Sequence, residues 1–121
     1  MATILVIDDE DVDRLIVAEL LREEGHEVIE VQDGSEGIAV KDTATLNLIV
    51  TDIMMPEKDG IETIMEIKRD NPNLKIIAVS GGGKHGQLSG LEMAKYLGAD
   101  DTLTKPISAE KLIGSVNKLL A

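Results

Sequence analysis

Ile4-Leu5-Val6-Ile7-Asp8-Asp9-Glu10-Asp11 is a short aliphatic run that stops on four consecutive acids. A β-branched run of this length with polar bounds reads as a buried strand. The period then changes. Val12, Leu15, Ile16 and Leu20 recur at helical spacing and are expected to face inward, with Gly25 placed to end the helix. The unit repeats along the chain: further apolar runs fall at Val28 to Val31, Leu46 to Val50, Ile76 to Val79 and, weakly, around Thr102 to Leu103. Between them the spacing predicts a short helix over Gly34 to Lys41 and one with an Ile61, Ile64, Met65 stripe that stops near Asn71-Pro72. A further helix is expected over Leu88 to Leu97, closed by Gly98. The last carries Leu112, Ile113, Val116, Leu119 and Leu120 on one face; Ser108 caps it, but Lys111 stands where a Glu would complete a capping box. Strand–helix alternation five times over defines an α/β fold. It is a doubly wound (βα)5 domain, with a five-stranded parallel sheet covered by helices on both faces.

In such sheets the functional crevice lies at the carboxyl ends of the strands. The first strand exits into Asp8-Asp9-Glu10-Asp11, the third at Asp52, the fourth at Ser80 before Gly81-Gly82-Gly83, and the fifth into Lys105-Pro106. Carboxylates, a hydroxyl and an ammonium therefore converge on one edge. Two carboxylates about 5 Å apart repel by roughly 3 kcal/mol at an effective dielectric near 20, which a divalent cation would relieve. Oxygen donors without sulfur or clustered imidazole favour Mg²⁺, with Mn²⁺ as the alternative, over zinc or copper. A carboxylate beside such a cation can attack phosphorus and form an acyl phosphate, while a Lys and a Ser stabilise the transferring group. Chemistry alone does not assign the nucleophile. Asp52, single and on the central strand, is favoured over the adjacent pair Asp8-Asp9, which has the character of a metal clamp.

Composition narrows the function classes. With 121 residues the chain is expected to form one domain, 1–121, with no output domain. The net charge of −11 argues against a nucleic-acid footprint. The absence of cysteine excludes a disulfide scaffold and a thiolate nucleophile, and no apolar run is long enough to span a membrane. A soluble, cytoplasmic domain is expected. Tyr96 is the only aromatic residue, so the core must be aliphatic. Gly81-Gly82-Gly83-Lys84 lacks the Gly-Lys-Ser/Thr spacing of a nucleotide loop. His26 and His85 receive no function.

These segments resemble the receiver domain of two-component response regulators across essentially the whole chain. The resemblance lies in Ile4 to Glu10 with Arg14, in Leu48 to Pro56 with Asp59-Gly60, in Ala78-Val79-Ser80-Gly81, and in Gly98-Ala99-Asp100 followed by Lys105-Pro106. It implies the flavodoxin-like strand order 2-1-3-4-5 and a cis Lys105-Pro106 bond. It also implies that Asp52 takes a phosphoryl group from a histidine kinase or phosphotransfer protein. Asp8, Asp9, Asp52 and the backbone carbonyl of Met54 would surround Mg²⁺, and Ser80 and Lys105 would engage the phosphoryl oxygens. A downstream signalling protein would read the face of the last two helices and last strand, and the chain would be a monomer or a weak phosphorylation-dependent dimer. It would catalyse only its own phosphorylation and dephosphorylation.

Two departures from the family pattern bear on the switch. The family often carries an aromatic residue three positions before the Lys, where this chain has Thr102. The interval from Ser80 to Lys105 is also longer than usual, with the extra length assigned to a Gly81 to Gly90 loop. Two other readings remain beside the leading one. The first is a Mg²⁺-dependent phosphatase or phosphotransferase of the haloacid dehalogenase type, although Asp8-Asp9 are adjacent rather than in Asp-x-Asp order. The second is a receiver-like interaction module that is not phosphorylated. Taken alone, Asp8 to Asp11 also suit a helix N-terminus.

Overall fold

The structure is a computed structural model that describes residues 1–43, 45–53, 60–80 and 98–121. The expectations for Met54 to Asp59, for the Gly81 to Gly90 loop with Lys84 and His85, and for the Leu88 to Leu97 helix with Tyr96 lie outside the described residues. In chain order the elements are β1 (Thr3–Ile7), α1 (Asp11–Glu23), β2 (Glu27–Val31), α2 (Gly34–Thr43), β3 (Leu48–Asp52), α3 (Gly60–Asp70), β4 (Lys75–Ser80), β5 (Asp101–Thr104) and α4 (Ala109–Leu120). The five strands form one parallel sheet in the order β2-β1-β3-β4-β5. The sequence expectation for fold and strand order holds.

The three inner strands β1, β3 and β4 are buried on both faces, whereas the edge strands β2 and β5 are only half-buried, and the alternation of side chains divides the core in two. Ile4, Val6, Leu48, Val50, Ile77 and Val79 point to one side, where Val17 and Leu21 of α1 and Leu112 and Val116 of α4 cover them. Leu5, Ile7, Ile49, Ile76 and Ala78 point to the other, under Ile64 and Ile67 of α3 and the partly buried Ile38 of α2. Period two along each strand thus feeds two helical layers, which explains why these runs read as uninterrupted aliphatic stretches. Helix α2 approaches closely at Gly37, where a Cβ would fall 2.5 Å from Ile7 Cδ1.

Two sequence expectations fail at the level of helix faces. Val12, Leu15 and Ile16 do not face inward; they are 70%, 52% and 46% exposed, and only Leu20 of that set is partly buried against the core. The inward face of α1 is Arg14, Val17, Ala18 and Leu21. The cause is local: Arg14 reaches back to the Asp8 carbonyl at 2.7 Å and faces Glu30 of β2 at 3.5 Å, which sets the rotation of the helix on the sheet. In α3, Met65 is 51% exposed, and Ile67 takes the place beside Ile64. Strand β3 begins at Leu48 rather than Leu46, because its ladder with β1 opens at the Ile4–Leu48 pair. The cap on α4 is as expected, with Ser108 Oγ accepting the Lys111 N–H at 3.3 Å. The Lys105–Pro106 peptide is cis.

Candidate functional site

Parallel pairing brings the strand exits to a common level. Asp8 follows β1 directly, with its N–H bonded to the Val31 carbonyl at 3.2 Å. Asp52 is the last residue of β3 and pairs with Val79 of β4. Ser80 ends β4, and its carbonyl accepts the Lys105 N–H at 2.8 Å, which anchors the segment leaving β5. Asp52 and Ser80 are therefore positioned by the sheet ladder itself, and Asp8 and Lys105 by backbone bonds just beyond its end.

Asp8, Asp9 and Asp52 each bring a carboxylate oxygen to within 4.8 Å of the others. Asp8 and Asp52 are buried and Asp9 is half-buried. Asp8 is itself oriented, since its Oδ1 accepts the Glu10 N–H at 2.9 Å. The Lys105 ammonium lies 3.1 Å from Asp8 Oδ2 and 3.1 Å from Asp52 Oδ2. A third carboxylate, Asp13 in the first turn of α1, lies 3.0 Å from the same nitrogen. Burial alone would favour the neutral amine. The hydrogen bond to Asp13, the charge of Asp52 and the hydrogen bonds to Asp8 and Asp52 outweigh it and hold the Lys105 pKa well above the usual lysine range.

Ser80 Oγ is buried and has no hydrogen-bond partner among the described residues. Thr102 lies in β5, half-buried, paired with Ala78. The Met54 carbonyl lies outside the described residues. The sequence thus brought together Asp8, Asp9, Asp52, Ser80 and Lys105, and the structure places them at one end of the sheet. It did not single out Asp13, whose charge in a first helical turn has a sufficient local reason in the helix dipole. An open groove lined by Lys41, Asn47, Asp70 and Asn71 lies at the opposite end of the strands and shares no residue with this cluster.

The donor set is chemically specific. Three carboxylates without sulfur or imidazole suit a hard divalent cation such as Mg²⁺. An ammonium beside them can stabilise negative charge on a group brought to Asp52. The Ser80 hydroxyl, without a partner among the described residues, can donate to the same group.

A profile of the response regulator receiver domain matches residues 4–117. The chain belongs to this family, the receiver domains of two-component signalling. The transcriptional regulatory protein CpxR of Klebsiella pneumoniae is 33% identical over 120 residues, which cover 99% of this chain and 50% of CpxR. The chemotaxis protein CheY of Bacillus subtilis is 33% identical over 118 residues, covering 97% of this chain and 96% of CheY. The chain thus spans about half the length of CpxR and nearly all of CheY. Among solved structures, the response regulator TrrA of Thermotoga maritima in complex with Mg²⁺-BeF superposes with a TM-score of 0.87 at 31% identity, over 99% of this chain and 100% of TrrA. No helix among the described residues is long and apolar enough to cross a membrane.

Proposed function

We propose that residues 1–121 act as one receiver unit in which Asp52 accepts a phosphoryl group from a phosphohistidine on a kinase or phosphotransfer protein. The observation that carries this reading is the 3.1 Å approach of Lys105 Nζ to Asp52 Oδ2 inside the Asp8, Asp9, Asp52 cluster. An Asp52 carboxylate oxygen attacks phosphorus. An O–P bond forms as the donor's P–N bond breaks, and the electron pair leaves with the imidazole nitrogen. Lys105 balances charge on the phosphoryl oxygens, and Ser80 Oγ, which has no hydrogen-bond partner among the described residues, donates to one of them. Asp8, Asp9, Asp52 and the Met54 carbonyl would hold Mg²⁺, which supplies Lewis-acid stabilisation of the transferring group. The phosphorylated state is read by a downstream protein on the face of β5 and α4, through a shift in a pre-existing equilibrium. With Thr102 at the position often aromatic in this family, the Ser80 hydroxyl rather than a ring carries that shift.

The test is the intact mass after incubation with Mg²⁺ and acetyl phosphate. One added phosphoryl group is expected, absent from Asp52→Asn and absent in EDTA. An adduct that survives Asp52→Asn would move the acceptor elsewhere.

A further inference from the structure

Lys105 has three ammonium protons and three carboxylates around it, but the three partners are not equivalent. Asp8 and Asp52 belong to the cluster whose oxygens lie within 4.8 Å of one another, so a cation held there competes with Lys105 for both. Asp13 is outside that cluster, 41% exposed, and 3.0 Å from the ammonium. It is also held on a fixed support. Its helix begins at Asp11, and the next residue, Arg14, is tied to the Asp8 carbonyl at 2.7 Å and to Asp11 at 2.7 Å.

We propose that Asp13 is a positioning residue for phosphoryl transfer, keeping the Lys105 ammonium at the mouth of the site while Asp8, Asp9 and Asp52 turn their oxygens to a divalent cation. This rests on the receiver chemistry proposed above. One ammonium proton stays with Asp13 and the other two face the incoming phosphoryl oxygens. Without Asp13 the long lysine stem regains its rotamers, and the charge is no longer set before the donor arrives. The freed ammonium also falls back on Asp8 and Asp52, where it opposes the cation.

The experiment is a double-mutant cycle between Asp13→Ala and Lys105→Met, with two readouts. The first is the rate of Mg²⁺-dependent phosphorylation at saturating acetyl phosphate. Asp13→Ala should slow it about three- to tenfold, the scale of a partly exposed ion pair, with the thermal midpoint little changed. Asp13→Glu should recover part of the loss. In the Lys105→Met background, Asp13→Ala should have no further effect. The second readout is Mg²⁺ affinity by calorimetric titration, which should fall in Asp13→Ala and fall much less when Lys105→Met is already present. Equal rates in wild type and Asp13→Ala, or the same loss in both backgrounds, would overturn the assignment and leave Asp13 a surface charge. If wild type gains no phosphoryl group, the receiver chemistry itself fails, and the Mg²⁺ cycle still decides whether Asp13 acts through Lys105.

Discussion

At Ser80 the proposed function predicts that stability and phosphorylation respond in opposite directions to loss of the hydroxyl. Its side chain is fully buried and its Oγ has no partner among the described residues. An unsatisfied buried hydroxyl costs about 1–3 kcal/mol, and removing it can be neutral or stabilising. Ser80→Ala is therefore expected to leave the urea midpoint unchanged or to raise stability by up to ~1 kcal/mol, while slowing phosphorylation by acetyl phosphate. A stability loss greater than about 1 kcal/mol would mean that Oγ is satisfied in the folded protein. Ser80 was legible in the sequence for the same reason as Asp8, Asp9, Asp52 and Lys105. All five stand at the carboxyl ends of apolar runs, and the topology of a parallel sheet collects such ends. Asp13 was not legible, because its partner Lys105 is remote in sequence and only packing of α1 beside the β5 exit joins them.

At the scale of the element, the end of α1 is a hydrogen-bonded device that depends on one backbone conformation. Gly25 has φ +91° and the His26 N–H bonds to the Leu21 carbonyl at 3.2 Å, while the Gly25 N–H bonds to Arg22 at 2.9 Å. This is the Schellman pattern. A Cβ at Gly25 would meet nothing within 4 Å, so any cost of adding one is conformational rather than steric packing. Gly25→Ala should cost about 1–2 kcal/mol, read as a fall of several degrees in the thermal midpoint, with Mg²⁺ affinity unchanged. A neutral Gly25→Ala would show that the turn relaxes to negative φ. The glycine stop was readable from sequence, whereas the buried face of the same helix was not. Apolar residues occupy two sides of α1, and periodicity cannot choose between the Val12, Leu15, Ile16 side and the Val17, Ala18, Leu21 side. The choice is made by Arg14, a charged residue that a hydrophobic pattern passes over, through its bond to the Asp8 carbonyl. Strands raised no such ambiguity, since both faces of this sheet are covered and any aliphatic run suffices.

Across the whole molecule the charge distribution is unbalanced in a way that a cation should correct. The chain carries −11, and four carboxylates meet one ammonium at the site. Self-repulsion of this kind opposes the compact state, and screening by any salt relieves part of it. A specific site adds a separate effect, because a ligand that binds only the folded protein stabilises it by mass action, about 2.7 kcal/mol at a hundred times its Kd. The two can be separated by holding ionic strength constant while exchanging NaCl for MgCl₂. The thermal midpoint of wild type should then rise with Mg²⁺, and the rise should be largely lost in Asp9→Asn, which removes one of the proposed ligands without touching Lys105. Asp9→Asn also lowers the local repulsion, so its midpoint in NaCl alone should lie at or above that of wild type. A cluster that is only a crowded acidic surface would give the reverse pattern: the same response to both salts in both proteins, and no crossing of the two midpoints as Mg²⁺ is added.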